Sequence, residues 1–116
     1  TSIAGDMLGM AELAQYAALP YLEINGDIQV CLITSRESRR WVIPKGWPKP
    51  PFLPQQQAAR EAKEEAGLVG DIASSPICTY VYRKRLHFLA SADCRVSVFP
   101  LLVKVQRRRL REKGER

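Results

Sequence analysis

The feature that most constrains this chain is a helix with a defined start and stop. Pro54 suits a first helical turn, the residues from Gln55 to Ala66 include many strong helix formers, and Gly67 stands where a left-handed C-terminal cap is expected. The spacing predicts a helix over 54–66. At about 100° per residue, Ala58, Ala59, Ala62 and Ala66 share one narrow apolar arc. Glu61, Glu64 and Glu65 cluster on the arc beside it.

Those three carboxylates work against the helix that carries them. Glu61 and Glu65 are like charges one turn apart, which costs a few tenths of a kcal/mol. Glu64 and Glu65 also lie in the last turn, the wrong end of the helix dipole for negative charge. A divalent cation between them turns both liabilities into a site, and hard oxygen ligands suit Mg²⁺ or Mn²⁺. The plain alternative is a solvated acidic face with Arg60 and Lys63 as ion partners.

Taken at full length, Gly46 to Leu68 resembles the Nudix box, Gly-x5-Glu-x7-Arg-Glu-U-x-Glu-Glu-x-Gly-U, where U is a bulky apolar residue. Gly46, Arg60, Glu61, Glu64, Glu65, Gly67 and Leu68 fall in register. Phe52 stands in place of the first Glu, and Ala62 is smaller than the usual U residue. Pro44-Lys45-Gly46-Trp47-Pro48 is similar to the lead-in of a bacterial branch akin to diphosphoinositol-polyphosphate and diadenosine-polyphosphate hydrolases.

The resemblance implies a mixed α/β (α+β) sheet in an α/β/α sandwich. It also implies hydrolysis of a pyrophosphate bond with Mg²⁺, or Mn²⁺, as cofactor. Glu61, Glu64 and Glu65 would be the metal ligands, and Arg60 the structural partner of the cluster. One of the carboxylates, or another acidic residue, would serve as general base. Family members usually continue into one more strand and a C-terminal helix, so the resemblance implies a truncated or minimal version here. Phe52 divides two outcomes: activity survives if the first Glu only braces Arg60 and the metal shell, and otherwise the domain is a catalytically silent binder.

Candidate phosphate contacts are Arg39, Arg40, Lys45, Arg83, Lys84 and Arg85, with Gly46 shaping the loop mouth. Each has ordinary surface charge as its alternative. His87, the single histidine, has no local catalytic partner and reads as a surface residue. Trp47 and Tyr82 are candidates for stacking a base, with a core or rim role as the competing reading.

A chain of 116 residues supports one domain, assigned here to 19–116, preceded by a weakly patterned segment over 1–18. Hydrophobic residues at 46% and charged ones at 26% are ordinary for a globular protein. No apolar run approaches the roughly 20 residues that span a bilayer, and the start does not read as a signal peptide. Cys31, Cys78 and Cys94 are odd in number and widely spaced, so they read as buried or half-buried thiols in a reducing, cytoplasmic setting. The expected partner is a phosphorylated small molecule, not a membrane. Of the +6 net charge, most comes from residues 104–116, with seven basic and two acidic. That tail opens a further reading, a nucleic-acid-binding module using Arg107, Arg108, Arg109 and Arg111.

The remaining elements are expected as follows. Residues 6–13 form at most a short helix. A strand over 19–24, a type I′ turn at Asn25-Gly26 and a partner strand over 27–34, covered on both faces, make a hairpin. A polar turn covers 35–38, and a short strand over 39–43 leads into a proline-rich loop at 47–54. Residues 69–75 are a connector, 77–82 a strand, 83–87 a basic turn, 88–93 a loop and 94–105 a strand. Pro100 calls for a bulge or an edge in that last strand. Residues 106–113 offer a weak helix.

Overall fold

The computed structural model describes residues 12–35 and 39–107. Two long strands, β1 (Glu12–Ile24) and β8 (Ala90–Gln106), lie parallel and form the spine of a six-stranded mixed sheet. Along the outer edge of β1 run β2 (Asp27–Val30) and the short β5 (Lys45–Gly46), both antiparallel to it. Along the far edge of β8 run β6 (Leu68–Ile72) and β7 (Cys78–His87), also antiparallel. A separate two-stranded ladder joins β3 (Ile33–Thr34) to β4 (Trp41–Val42).

The helix α1 (Pro54–Ala66) has the predicted bounds. Its N-terminus is held by the Gln56 side chain, which accepts the Leu53 N–H at 2.9 Å. Gly67 closes it at φ 71°, with its N–H bonded to the Lys63 carbonyl at 2.9 Å. That conformation favours glycine because it has no Cβ to collide with the backbone. Three alanines of the arc are buried and the fourth, Ala59, is half-buried: Ala58, Ala62 and Ala66 pack on Ala18, Phe99, Leu101 and Val103 of β1 and β8. Small helix residues let the axis sit close to the sheet, and Phe99 and Leu101 supply the volume that Ala62 does not. This is the mixed α+β fold expected, with one helix on one face. A second helical layer is not among the described residues. On the opposite face Leu19, Tyr21, Ile28, Val30, Ile77 and Pro100 line a shallow apolar cavity of about 320 Å³.

Several expectations are corrected. The boundary at residue 18 falls inside β1, whose Ala17 and Ala18 are fully buried. Pairing along β8 makes a strand of 12–18, so Leu13 is not helical. Asn25 and Gly26 both take positive φ, 52° and 85°, as a type I′ turn requires. However, β2 is exposed throughout, because it lies at the sheet edge and only Tyr21–Ile24 pair with it.

The connector over 69–75 is largely β6. The basic turn and loop over 83–93 are a hairpin that continues β7 to His87, turns at Phe88 and Leu89, and starts β8 at Ala90. Pro100 needs no sheet edge. It sits where the neighbour of β8 changes from β7, ending at Cys78, to β6, beginning opposite Leu101 at Ile72. Its missing N–H therefore interrupts no ladder. Cys78 is exposed, whereas Cys94 is buried and Cys31 half-buried. The expectations for residues 1–11, 36–38 and 108–116 lie outside the described residues. No helix among the described residues is long and apolar enough to cross a membrane.

Candidate active site

Strand β5 brings the loop to the helix. Lys45 pairs with Ala17 and Gly46 with Tyr16, which fixes this backbone against β1 under the carboxylate face of α1. A Cβ at Gly46 would overlap the Glu61 carboxylate where it stands, so a side chain at this position would displace that carboxyl group. Here Glu61 and Glu65 come together. Their carboxyl groups share a hydrogen bond, and Glu65 also accepts one from the Lys45 backbone N–H.

This crowding has an electrostatic consequence. Burial, followed by the hydrogen bond to Glu61 and repulsion from its charge, pushes the Glu65 carboxyl up to about 8, against a weaker opposing pull from Lys45. In the metal-free protein the pair thus holds a proton where two negative charges would otherwise meet.

Glu64 goes elsewhere. Its carboxylate pairs with Arg60 Nη2 at 3.3 Å in a half-exposed setting. The Arg60 guanidinium lies over the Phe52 ring at 4.1 Å from the centroid, while its Nη1 is buried without a hydrogen-bond partner among the described residues. Phe52, the departure from the box pattern, therefore still contacts Arg60, through its π face and not through a carboxylate.

A residue missed by sequence reasoning stands behind Glu61. Gln57 is 4% exposed and donates from Nε2 to Glu61 Oε2 at 2.7 Å. Its Oε1 is buried with no hydrogen-bond partner among the described residues. The available signal was a glutamine at the edge of the alanine arc, one turn before Glu61.

Of the candidate phosphate contacts, Lys45 and Gly46 adjoin the carboxylates. The Lys45 ammonium lies 5.5 Å from the centre of the Tyr82 ring. Tyr82 donates to Gln15 Oε1, a buried acceptor, at 2.6 Å, and Tyr80 follows at 6.3 Å between ring centres. Burial is the first cause that pushes the Tyr82 phenol up to about 12, so it stays a donor at neutral pH. Lys84 shares this face by strand alternation.

Arg83 is engaged with Asp93 at 3.2 Å and with Ser91. Arg39, Arg40 and Arg85 are exposed, the first two where the Ser35 backbone bonds to both residues across the turn. His87 is exposed and accepts the Leu89 N–H within its own turn, as a surface residue. Of the basic tail, only Arg107 among its four named arginines is described.

Two adjacent carboxyl groups, Glu61 and Glu65, are hard oxygen donors of the kind Mg²⁺ takes one or two at a time. Among the described residues, no group of three His, Cys, Asp or Glu side chains is close enough to hold a metal ion. A cavity of about 340 Å³ near the C-terminal end of α1 is lined mainly by apolar residues including Leu22, Ile33, Ala66 and Leu68, and carries none of this chemistry.

No family model and no curated protein matches this sequence. Solved structures do match the backbone. An Ap4A hydrolase of C. elegans shares 20% identity at a TM-score of 0.56, covering 82% of this chain and 75% of that one. This chain has the Nudix fold. The Nudix domain of NrtR from Shewanella oneidensis, solved with ADP ribose, matches at 14% identity and a TM-score of 0.58, over 93% of this chain and 78% of its own. A MutT protein of Methanosarcina mazei matches at 21% and 0.58, over 83% and 70%. Identity this low shows a shared Nudix architecture and leaves chemistry to the residues.

Proposed function

We propose that this Nudix domain is a divalent-cation-dependent hydrolase of a pyrophosphate bond, in a nucleoside-diphosphate-linked or polyphosphate substrate. The observation that carries this is the Glu61–Glu65 pair pressed against the Gly46 backbone. Two carboxyls held that close in a half-buried setting are destabilising unless a proton or a cation lies between them. Glu61 and Glu65 would hold Mg²⁺ or Mn²⁺, and Glu64 joins them only by leaving Arg60. When bound, the cation supplies charge neutralisation for the phosphates and acidifies water.

The rest is the chain's own work. Arg60 neutralises Glu64 and anchors the proline-rich loop through Phe52. Lys45 offers an ammonium beside the carboxylates for a phosphate oxygen, and Lys84 extends positive charge along the same face. Tyr80 and Tyr82 offer aromatic surface for a base on that face. The Lys45 charge near the carboxylate pair favours a polyphosphate ligand, a dinucleoside polyphosphate or a diphosphoinositol phosphate.

Phe52 favours a second reading, a Nudix domain that binds such a ligand without turning it over. The deciding experiment measures phosphate and nucleotide release with Mg²⁺ or Mn²⁺ from diadenosine polyphosphates, nucleotide sugars, dinucleotides, nucleoside triphosphates and diphosphoinositol phosphates. Turnover that disappears in Glu65→Gln supports the hydrolase. A folded parent that binds a panel member and releases nothing supports the silent binder.

A further inference from the structure

Gln57 is the buried polar side chain of α1, and its burial is chemically expensive. One end of the amide is used, donating to Glu61 Oε2 at 2.7 Å. The other end, Oε1, is buried with no hydrogen-bond partner among the described residues. A buried acceptor left unpaired costs stability, and an apolar side chain of the same shape would fill the position without that cost. Stability therefore does not account for the amide. Its one side-chain hydrogen bond among the described residues is to Glu61.

That contact is specific in its geometry. Glu61 Oε2 is held by the Gln57 amide and lies close beside Gly46, in space that a side chain there would occupy. A carboxylate held through one oxygen has a fixed rotamer and presents the other oxygen. The donor is also neutral. A lysine or arginine in its place would hold Glu61 equally well but cancel the charge that a cation needs.

We infer that Gln57 is a positioning residue that locks the Glu61 carboxylate in the orientation that receives a divalent cation. The inference rests on the cation site proposed above. It adds that helix residue 57, which lies outside the fixed positions of the box, sets cation affinity through Glu61. Partners that orient a ligand typically change metal affinity by about 10–100-fold when removed.

The test titrates Mn²⁺ into the metal-free protein, following free Mn²⁺ by electron paramagnetic resonance, for the parent, Gln57→Met and Glu65→Gln. Melting temperature without metal is measured on the same samples. Gln57→Met keeps length and flexibility and removes both the donor and the orphaned acceptor. The expected result is Mn²⁺ affinity at least about tenfold weaker with a metal-free melting temperature equal to or above the parent's. Gln57→Leu repeats the test with a different shape and should show the same split. Unchanged Mn²⁺ affinity in a folded variant would overturn the inference while leaving the cation site standing. Affinity lost only in step with melting temperature would also overturn it, as a packing effect. A parent that binds no Mn²⁺ would overturn both this inference and the proposed cation site.

Discussion

Two carboxylate environments lie within five residues of one helix, and they behave in opposite ways. Glu64 is half exposed and paired with Arg60, so its charge is solvated and balanced. Glu65 is turned inward against Glu61 and the Lys45 backbone, and its proton is retained to about pH 8. Residue type and helix are the same. The difference is the loop: β5 carries Gly46 under one side of α1 and leaves the other side to solvent and Phe52. Desolvation beside a like charge raises the proton affinity of Glu65, while exposure beside an arginine leaves Glu64 in a surface ion pair.

The sharpest way to break this comparison is to neutralise each acid in turn. Glu61→Gln and Glu65→Gln are expected to lower turnover by at least about a hundredfold, whereas Glu64→Gln should lose about tenfold or less. Equal losses at all three positions in steady-state kinetics would place Glu64 inside the site.

The pH dependence of stability comes next. The Glu65 carboxyl binds its proton more tightly in the folded chain than in the unfolded one. Its contribution is therefore fully present below the usual carboxylate pKa and is lost as pH rises towards about 8. Metal-free protein should melt at progressively lower temperature between pH 5 and pH 8, and Glu65→Gln should flatten that slope. A parallel slope in parent and variant would assign the dependence to other groups.

Smaller effects separate the two sides of the helix further. Phe52→Ala should cost about 0.5–1 kcal/mol through loss of the Arg60 contact. Phe52→Glu should leave the turnover rate within about twofold if the ring already does what the box carboxylate would do. A large rise in rate would show that Phe52 limits activity. Smallest of all, Glu64→Gln should change denaturant stability by about 0.3–0.5 kcal/mol, the usual worth of an exposed i,i+4 pair.

How much of this was legible depended on whether the information was local. The bounds of α1 followed from Pro54, the run of helix formers and Gly67, all within one segment. The carboxylates and the glycine opposite them were legible because their spacing matches the box. The strands were less so, because pairing decides them. Residues 12–18 are alanine-rich with little strand pattern, and they are strand because β8 lies beside them from Asp93 onward. Residues 83–87 looked like a basic turn and are strand because they pair with Ala90–Asp93. The division of labour among Glu61, Glu64 and Glu65 was not legible either. It depends on which side of the helix β5 passes, and on a glutamine whose role appears only once Glu61 is seen beside it.

Thermal melting at neutral pH against increasing Mg²⁺, for the parent, Glu65→Gln and Glu64→Gln, tests the proposed cation site at the Glu61–Glu65 pair. A cation that binds the folded chain alone raises stability as its concentration exceeds the dissociation constant. A saturating rise in melting temperature is expected for the parent, with its loss in Glu65→Gln and its retention, at most weakened, in Glu64→Gln. A parent that does not respond to Mg²⁺, or a response that survives in Glu65→Gln, would contradict that site.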